Sequence, residues 1–173
     1  MGRTIAGISP SWKKLRHVWG SVLLLATVFL ASMTCAKPGP DEPTTVVFVC
    51  LHGSVKSQVA AAHFNRLAKE RGLNVVAVSR GIAVNNAIPA SIRDGLSRDG
   101  LAPATDTPVA LTAQEATAAA KVFAFDEVPD GIKGNAEVTY WSDVPPATKD
   151  YAGARAAIVR HFMDAIDAVT PQH

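Results

Sequence analysis

From about Thr44 onward, apolar residues alternate between short continuous runs and longer stripes of helical period. Val46 to Cys50 is an unbroken apolar run with a β-branched bias, the pattern of a strand buried on both faces. A short polar loop follows. Ser57 then opens a helical period with Ala60, Phe64, Leu67 and Ala68 on one stripe, stopped by Gly72 after Arg71. Asn74 to Ser79 predicts a second strand through Val75, Val76, Ala77 and Val78, closed by a turn at Arg80-Gly81. Ile88 to Asp99 predicts a second helix, with Pro89 near its start, Ile92 and Leu96 four apart, and Gly100 after its end. Thr112 and Glu115 form a capping-box pattern ahead of a short alanine-rich helix. Lys121 to Phe125 predicts a third strand, Asp126 to Gly134 a polar loop, and Ala136 to Trp141 a fourth strand. After a loop over Ser142 to Asp150, one last helix, Tyr151 to Val169, gathers Ala154, Ile158, Phe162, Ala165, Ile166 and Val169 on one face. Strands that alternate with helices predict an α/β domain with a parallel sheet covered on both faces.

The chain ahead of this pattern is of another kind. Met1 to Ala36 carries Arg3, Lys13, Lys14 and Arg16 with no acid, and an apolar run from Val18 to Met33 is broken only by Gly20, Ser21, Thr27 and Ser32. That is the build of an export segment, a signal peptide or an N-terminal anchor, and it is shorter than a comfortable membrane span of about 20 residues. Three fates stay open: cleavage after Ala36, lipid attachment at Cys35, or retention as an anchor that associates the chain with a membrane through residues 18–33. The expected location is outside the cytoplasm, as in a periplasm. Residues 37–43, with Pro38, Gly39, Pro40 and Pro43, read as a linker to a domain spanning residues 44–173.

Charge and cysteine count narrow the chemistry. The sequence has 17 Lys and Arg against 15 Asp and Glu; without the four basic residues of the leader, 13 face 15, so the remainder is near −2. No basic stripe or aromatic-interleaved patch is present, which argues against a nucleic-acid partner. If the segment holding Cys35 is removed, Cys50 is the lone cysteine and no internal disulfide can form. His52, His63, His161 and His173 lack the spacing and partner cysteines of a metal site, and no cofactor motif occurs. Oligomeric state leaves no mark in the sequence.

The chemistry concentrates where the first strand ends. In Cys50-Leu51-His52-Gly53-Ser54-Val55-Lys56-Ser57 a loop joins a strand's carboxyl end to a helix N-terminus, the place where open α/β sheets bind ligands. Successive backbone N–H groups and the helix N-terminus make an anion nest, and Gly53 supplies a position where positive φ is cheap. The same dipoles favour the thiolate of Cys50, the form that attacks phosphorus. A buried, inert strand-end cysteine is the competing reading.

This loop, with Ser79-Arg80-Gly81 after the second strand and Trp141-Ser142-Asp143-Val144-Pro145 near the end, resembles the low-molecular-weight protein tyrosine phosphatase superfamily, which includes the thioredoxin-coupled arsenate reductases. The resemblance covers about residues 44 to 170 and implies a four-stranded parallel sheet with flanking helices. It implies that Cys50 is the nucleophile, forming a phosphocysteine. Ser57 would donate a hydrogen bond to the thiolate, and the loop over Leu51, His52, Gly53, Ser54, Val55 and Lys56 would bind the phosphoryl oxygens through its amides. Asp143 would protonate the leaving oxygen.

The chain departs from the family pattern in three places. The family's loop arginine is Lys56, and an ammonium is a mobile point charge where a guanidinium grips two oxygens in a fixed fork. The usual glycine-asparagine pair is His52-Gly53, and His52 is either an anion ligand or a solvated loop residue. Asp143 is followed by Val144 before Pro145, and Asp126, Asp130 and Asp150 are further acid candidates. Arg80 either supplements Lys56 or serves as an ion-pair partner. The expected function is a phosphomonoester hydrolase acting on a phosphorylated small molecule or phosphoprotein. The alternatives are a weak or inactive member that binds oxyanions or phospho-ligands, and an arsenate reductase using an external thiol, since no cysteine follows Cys50 to relay oxidation.

Overall fold

A computed structural model describes residues 42–170. The export segment and residues 37–41 of the linker lie outside the described residues. Four strands, β1 (Thr44–Cys50), β2 (Val75–Gly81), β3 (Lys121–Ala124) and β4 (Val138–Tyr140), form one parallel sheet in the order β2-β1-β3-β4. The helices are α1 (Lys56–Glu70), α2 (Ala90–Arg98), α3 (Ala113–Ala118), α4 (Asp130–Lys133), α5 (Tyr151–Arg160) and α6 (Phe162–Asp167).

The apolar run of β1 is buried on both sides because successive side chains point to opposite faces of the sheet. Val46, Phe48 and Cys50 join α1, α2, α5 and α6 in the larger core, and Val47 and Val49 join Leu111, Ala116, Val122, Ala124 and Val128 in the smaller one. Phe48 centres the larger core, with ring centroids of Phe64 and Phe123 at 5.5 Å and of Trp141 at 5.4 Å. Helices cover both faces, as the alternation of elements predicts.

The chain leaves β1 for β2 on one side and later returns to place β3 on the other, so the strand order reverses at β1. Connections at such a reversal diverge and open a crevice at the carboxyl ends of the two central strands. Cys50 at the end of β1 and Phe125-Asp126 just after β3 flank that crevice.

Two elements differ from the pattern. The polar loop after β3 contains a helical turn, α4, begun after Pro129 and ended at Gly134. The single last helix is two, because His161 N–H bonds to Ile158 O at 3.1 Å, three residues back, and the ladder restarts with Ala165 N–H to His161 O at 3.0 Å. The side chain of His161 turns to stack on Trp141, with ring centroids 4.7 Å apart and planes at 14°. Among the described residues no helix is long and apolar enough to cross a membrane.

Candidate active site

The loop from Leu51 to Val55 is held from behind by β2. Gly53 adopts φ 64°, and a Cβ added there would lie 2.9 Å from the backbone nitrogen of Gly81. A Cβ on Gly81 would lie 2.6 Å from Gly53 N, so the two backbones touch where neither residue has a side chain. Ile82 N–H donates to Leu51 O at 3.0 Å, and Ala83 N–H to the same carbonyl at 2.7 Å. Gln58, fully buried, donates to Gly53 O at 3.0 Å and to Thr105 Oγ1 at 2.8 Å. Asn85 Nδ2 donates to Ser54 Oγ at 3.3 Å. Helix α1 begins at Lys56 with no side-chain cap and no acid in its first turn, which leaves its positive end turned to the loop.

Cys50 is buried, its Sγ 3.1 Å from Ser57 Oγ. Ser79 Oγ donates to Ser57 Oγ at 2.9 Å, a better bond than its 3.4 Å approach to Gly53 O. With the Ser57 oxygen accepting from Ser79, the Ser57 hydrogen is free to go to sulfur, and Ser79, Ser57 and Cys50 form a hydrogen-bonded chain in which Ser57 donates whenever the sulfur is ionised. In sequence Ser79 stood only as part of the Ser79-Arg80-Gly81 motif, with no role of its own. Its place comes from strand register, which pairs Ser79 with Phe48 two residues before Cys50 and points the hydroxyl to the α1 side of the sheet.

A cavity of about 200 Å³ opens over the sulfur, lined by Cys50, Leu51, His52, Val55, Lys56, Asp126, Pro146, Ala147 and Thr148. Lys56 Nζ donates to Phe125 O at 3.4 Å, lies 5.5 Å from the centre of the Phe125 ring and is 3.8 Å from Asp126 Oδ1. Asp126 Oδ2 accepts from Leu51 N–H at 2.9 Å. The carboxylate of Asp126 therefore faces two groups expected to hold a phosphoryl oxygen. His52 lies on the rim, where Nδ1 donates to Ala83 O at 2.9 Å, which leaves Nε2 as the nitrogen turned outward.

Of the residues singled out in sequence, the fold gathers Cys50, Ser57, Lys56 and the loop from Leu51 to Val55 at one site. It does not bring Asp143 there. Asp143 is half-exposed and absent from the cavity wall; its Oδ1 accepts from His161 Nε2 at 2.8 Å, and Arg160 lies 3.7 Å from Oδ2. The hydrogen bond from His161 holds its carboxyl below the usual carboxylate range, so it stays ionised at neutral pH. The part of this loop that lines the cavity is instead Pro146, Ala147 and Thr148, beginning three residues further along.

The other acid candidates are also engaged elsewhere. Asp130 pairs with Lys133, and Asp150 caps α5 by accepting from Gly153 N–H at 2.8 Å. Arg80 turns from the cavity to Glu115, with Nε 2.8 Å from both carboxylate oxygens, so it does not supplement Lys56. Among the described residues no group of three or more His, Cys, Asp or Glu is placed to hold a metal ion, and Cys50 is the free cysteine.

Residues 45–131 match the family model described as low molecular weight phosphotyrosine protein phosphatase. Solved structures share the architecture. YfkJ from Bacillus subtilis aligns with TM-score 0.64 at 20% identity over 76% of this chain and 97% of its own. The low molecular weight protein tyrosine phosphatase from T. tengcongensis aligns with TM-score 0.60 at 16% identity over 73% and 99%. Wzb from Vibrio vulnificus, solved in complex with benzylphosphonate, aligns with TM-score 0.62 at 11% identity over 73% and 99%. No curated protein matches the chain.

Proposed function

The chain belongs to the low molecular weight phosphotyrosine protein phosphatase family, and from that premise we propose that it hydrolyses phosphomonoesters through a cysteinyl-phosphate at Cys50. The observation that carries the reading is the relay from Ser79 through Ser57 to the Cys50 sulfur, set under a loop of backbone amides at a helix N-terminus. In this mechanism the thiolate attacks phosphorus while the loop amides and Lys56 hold the equatorial oxygens. Water then attacks the phosphocysteine and restores the thiolate. The substrate class is a phosphorylated small molecule or phosphoprotein. The test is hydrolysis of 4-nitrophenyl phosphate by the full chain beside Cys50→Ser, with acid quench and mass spectrometry of the peptide carrying Cys50. The expected result is turnover and a phosphorylated cysteine in the parent alone; turnover that survives Cys50→Ser refutes the site.

A second reading, an oxyanion binder with little turnover, is favoured by one observation: the Lys56 ammonium is drawn toward Phe125 O and Asp126 instead of projecting a fork into the cavity. Saturable phosphate binding without hydrolysis by the folded parent would select it. We also propose export or N-terminal anchoring, supported by the basic leader and the apolar run of residues 18–33. Mass spectrometry of the mature N-terminus distinguishes cleavage, lipidation at Cys35 and retention.

A further inference from the structure

We infer that the site supplies no proton to the leaving group and so takes phosphoryl groups whose leaving atom departs as a stable anion, above all acyl phosphates. The inference rests on the phosphatase reading and deepens it to a substrate class. Its ground is the set of side chains that line the cavity beside the sulfur. A proton donor for the leaving oxygen has to stand across the cavity from the nucleophile, within hydrogen-bond reach of that oxygen. Pro146 and Ala147 have no proton to give, and the Thr148 hydroxyl is far too weak an acid at neutral pH. The carboxyl of the same loop, Asp143, is turned to His161 and Arg160.

Asp126 is the remaining carboxyl in the cavity among the described residues, and it is tied to the anion loop at Leu51 N–H. Its two oxygens face donors, Leu51 N–H at 2.9 Å and the Lys56 ammonium at 3.8 Å, so neither is arranged to hold an O–H toward a departing atom. A site of this build binds the phosphoryl group and attacks it, and leaves departure to the substrate. An alkyl or simple phenyl oxygen leaves badly without a proton; a carboxylate or an electron-poor phenolate does not need one.

The reaction balances on these terms. The Cys50 thiolate gives an electron pair to phosphorus as the P–O bond to the acyl oxygen breaks. That bond's electrons leave on the carboxylate, which takes no proton. Water attacks the phosphocysteine phosphorus, the S–P bond returns its pair to sulfur, and both protons of the water leave with the product as H2PO4−.

The full chain is assayed with acetyl phosphate, 2,4-dinitrophenyl phosphate and phenyl phosphate, with Cys50→Ser subtracted as background. Phenyl phosphate is expected to show kcat/KM lower than the other two by roughly 10²- to 10⁴-fold, the amount a general acid contributes when present. That ratio should be the same in Asp143→Asn and in Asp126→Asn, whatever the variants do to the absolute rates. Comparable kcat/KM on phenyl and dinitrophenyl phosphates overturns the inference. So does a ratio that widens in either variant, which would identify that carboxyl as the donor. Failure of all three substrates to exceed the Cys50→Ser background defeats the phosphatase reading itself, and the inference with it.

Discussion

Removing the two hydroxyls behind the nucleophile should have graded and coupled effects. Ser57 Oγ is 3.1 Å from Cys50 Sγ, and its hydrogen is free to go to sulfur because in its 2.9 Å bond with Ser79 it is Ser79 that donates. In the proposed mechanism the sulfur is the attacking anion, so Ser57→Ala deletes a charge-assisted hydrogen bond worth about 1.5–3 kcal/mol, roughly a 10- to 150-fold loss of rate. Ser79→Ala deletes a bond between neutral hydroxyls, worth about 0.5–1.5 kcal/mol, or roughly 2- to 13-fold, and acts only through Ser57. The assay is the rate of Cys50 alkylation by iodoacetamide at neutral pH, measured beside 4-nitrophenyl phosphate turnover, with circular dichroism to check folding. Ser57→Ala should slow both more than Ser79→Ala does, and Ser79→Ala should add little in a Ser57→Ala background. Fully additive losses, or an unchanged alkylation rate in Ser57→Ala, would refute the relay.

Three further outcomes follow from other parts of the structure. Lys56→Arg should raise kcat/KM for 4-nitrophenyl phosphate by roughly tenfold to a hundredfold, through one added charge-assisted hydrogen bond to the phosphoryl oxygens; no gain would show that the grip is not limiting. Gly81→Ala puts a Cβ 2.6 Å from Gly53 N and 2.8 Å from the His52 carbonyl carbon, and should cost about 1–3 kcal/mol in denaturant unfolding together with most of the turnover. His63 is buried, and burial first, then the Arg66 charge, lowers its pKa from the ordinary 6.5, so the unfolded chain takes up a proton that the folded one refuses. Stability should therefore fall as pH drops below about 6.5, and His63→Gln should flatten that fall in urea titrations at pH 7.5 and 5.5.

The framework was legible in sequence where one physical signal decided it. Val46 to Cys50 could hardly be other than a central strand, because a continuous β-branched run needs cover on both faces, and Gly53 marked the one loop position that must take positive φ. The division of the last helix at His161 was not legible, since residues on both sides of the break share one apolar stripe; it falls where the His161 ring stacks on Trp141, a contact distant in sequence. Ser79 is one polar residue in an apolar strand until register sets it beside the nucleophile's helix. The orientation of Asp143 was not legible for a related reason. Its spacing from Trp141 and Pro145 locates a loop but says nothing of which residue faces inward, and His161, eighteen positions on, decides that it faces away.

The separation of Asp143 from the sulfur also shows how the fold divides its labour. Everything that binds and attacks comes from the reversal of strand order at β1: the nucleophile on β1, the anion loop behind it, Ser79 on β2, and Phe125 and Asp126 beyond β3. These parts are tied by backbone register and the Gly53–Gly81 contact, so they cannot drift apart without loss of the sheet. The cavity wall from Pro146 to Thr148 is held by other means. It belongs to a loop between β4 and α5, anchored by the Asp143–His161 bond, by the Asp150 cap and by Val144 and Ala147, which are buried in the larger core. In the proposed mechanism, attack therefore rests on the sheet, while assistance to the leaving group rests on the three loop positions that line the cavity. In this chain those positions are Pro146, Ala147 and Thr148.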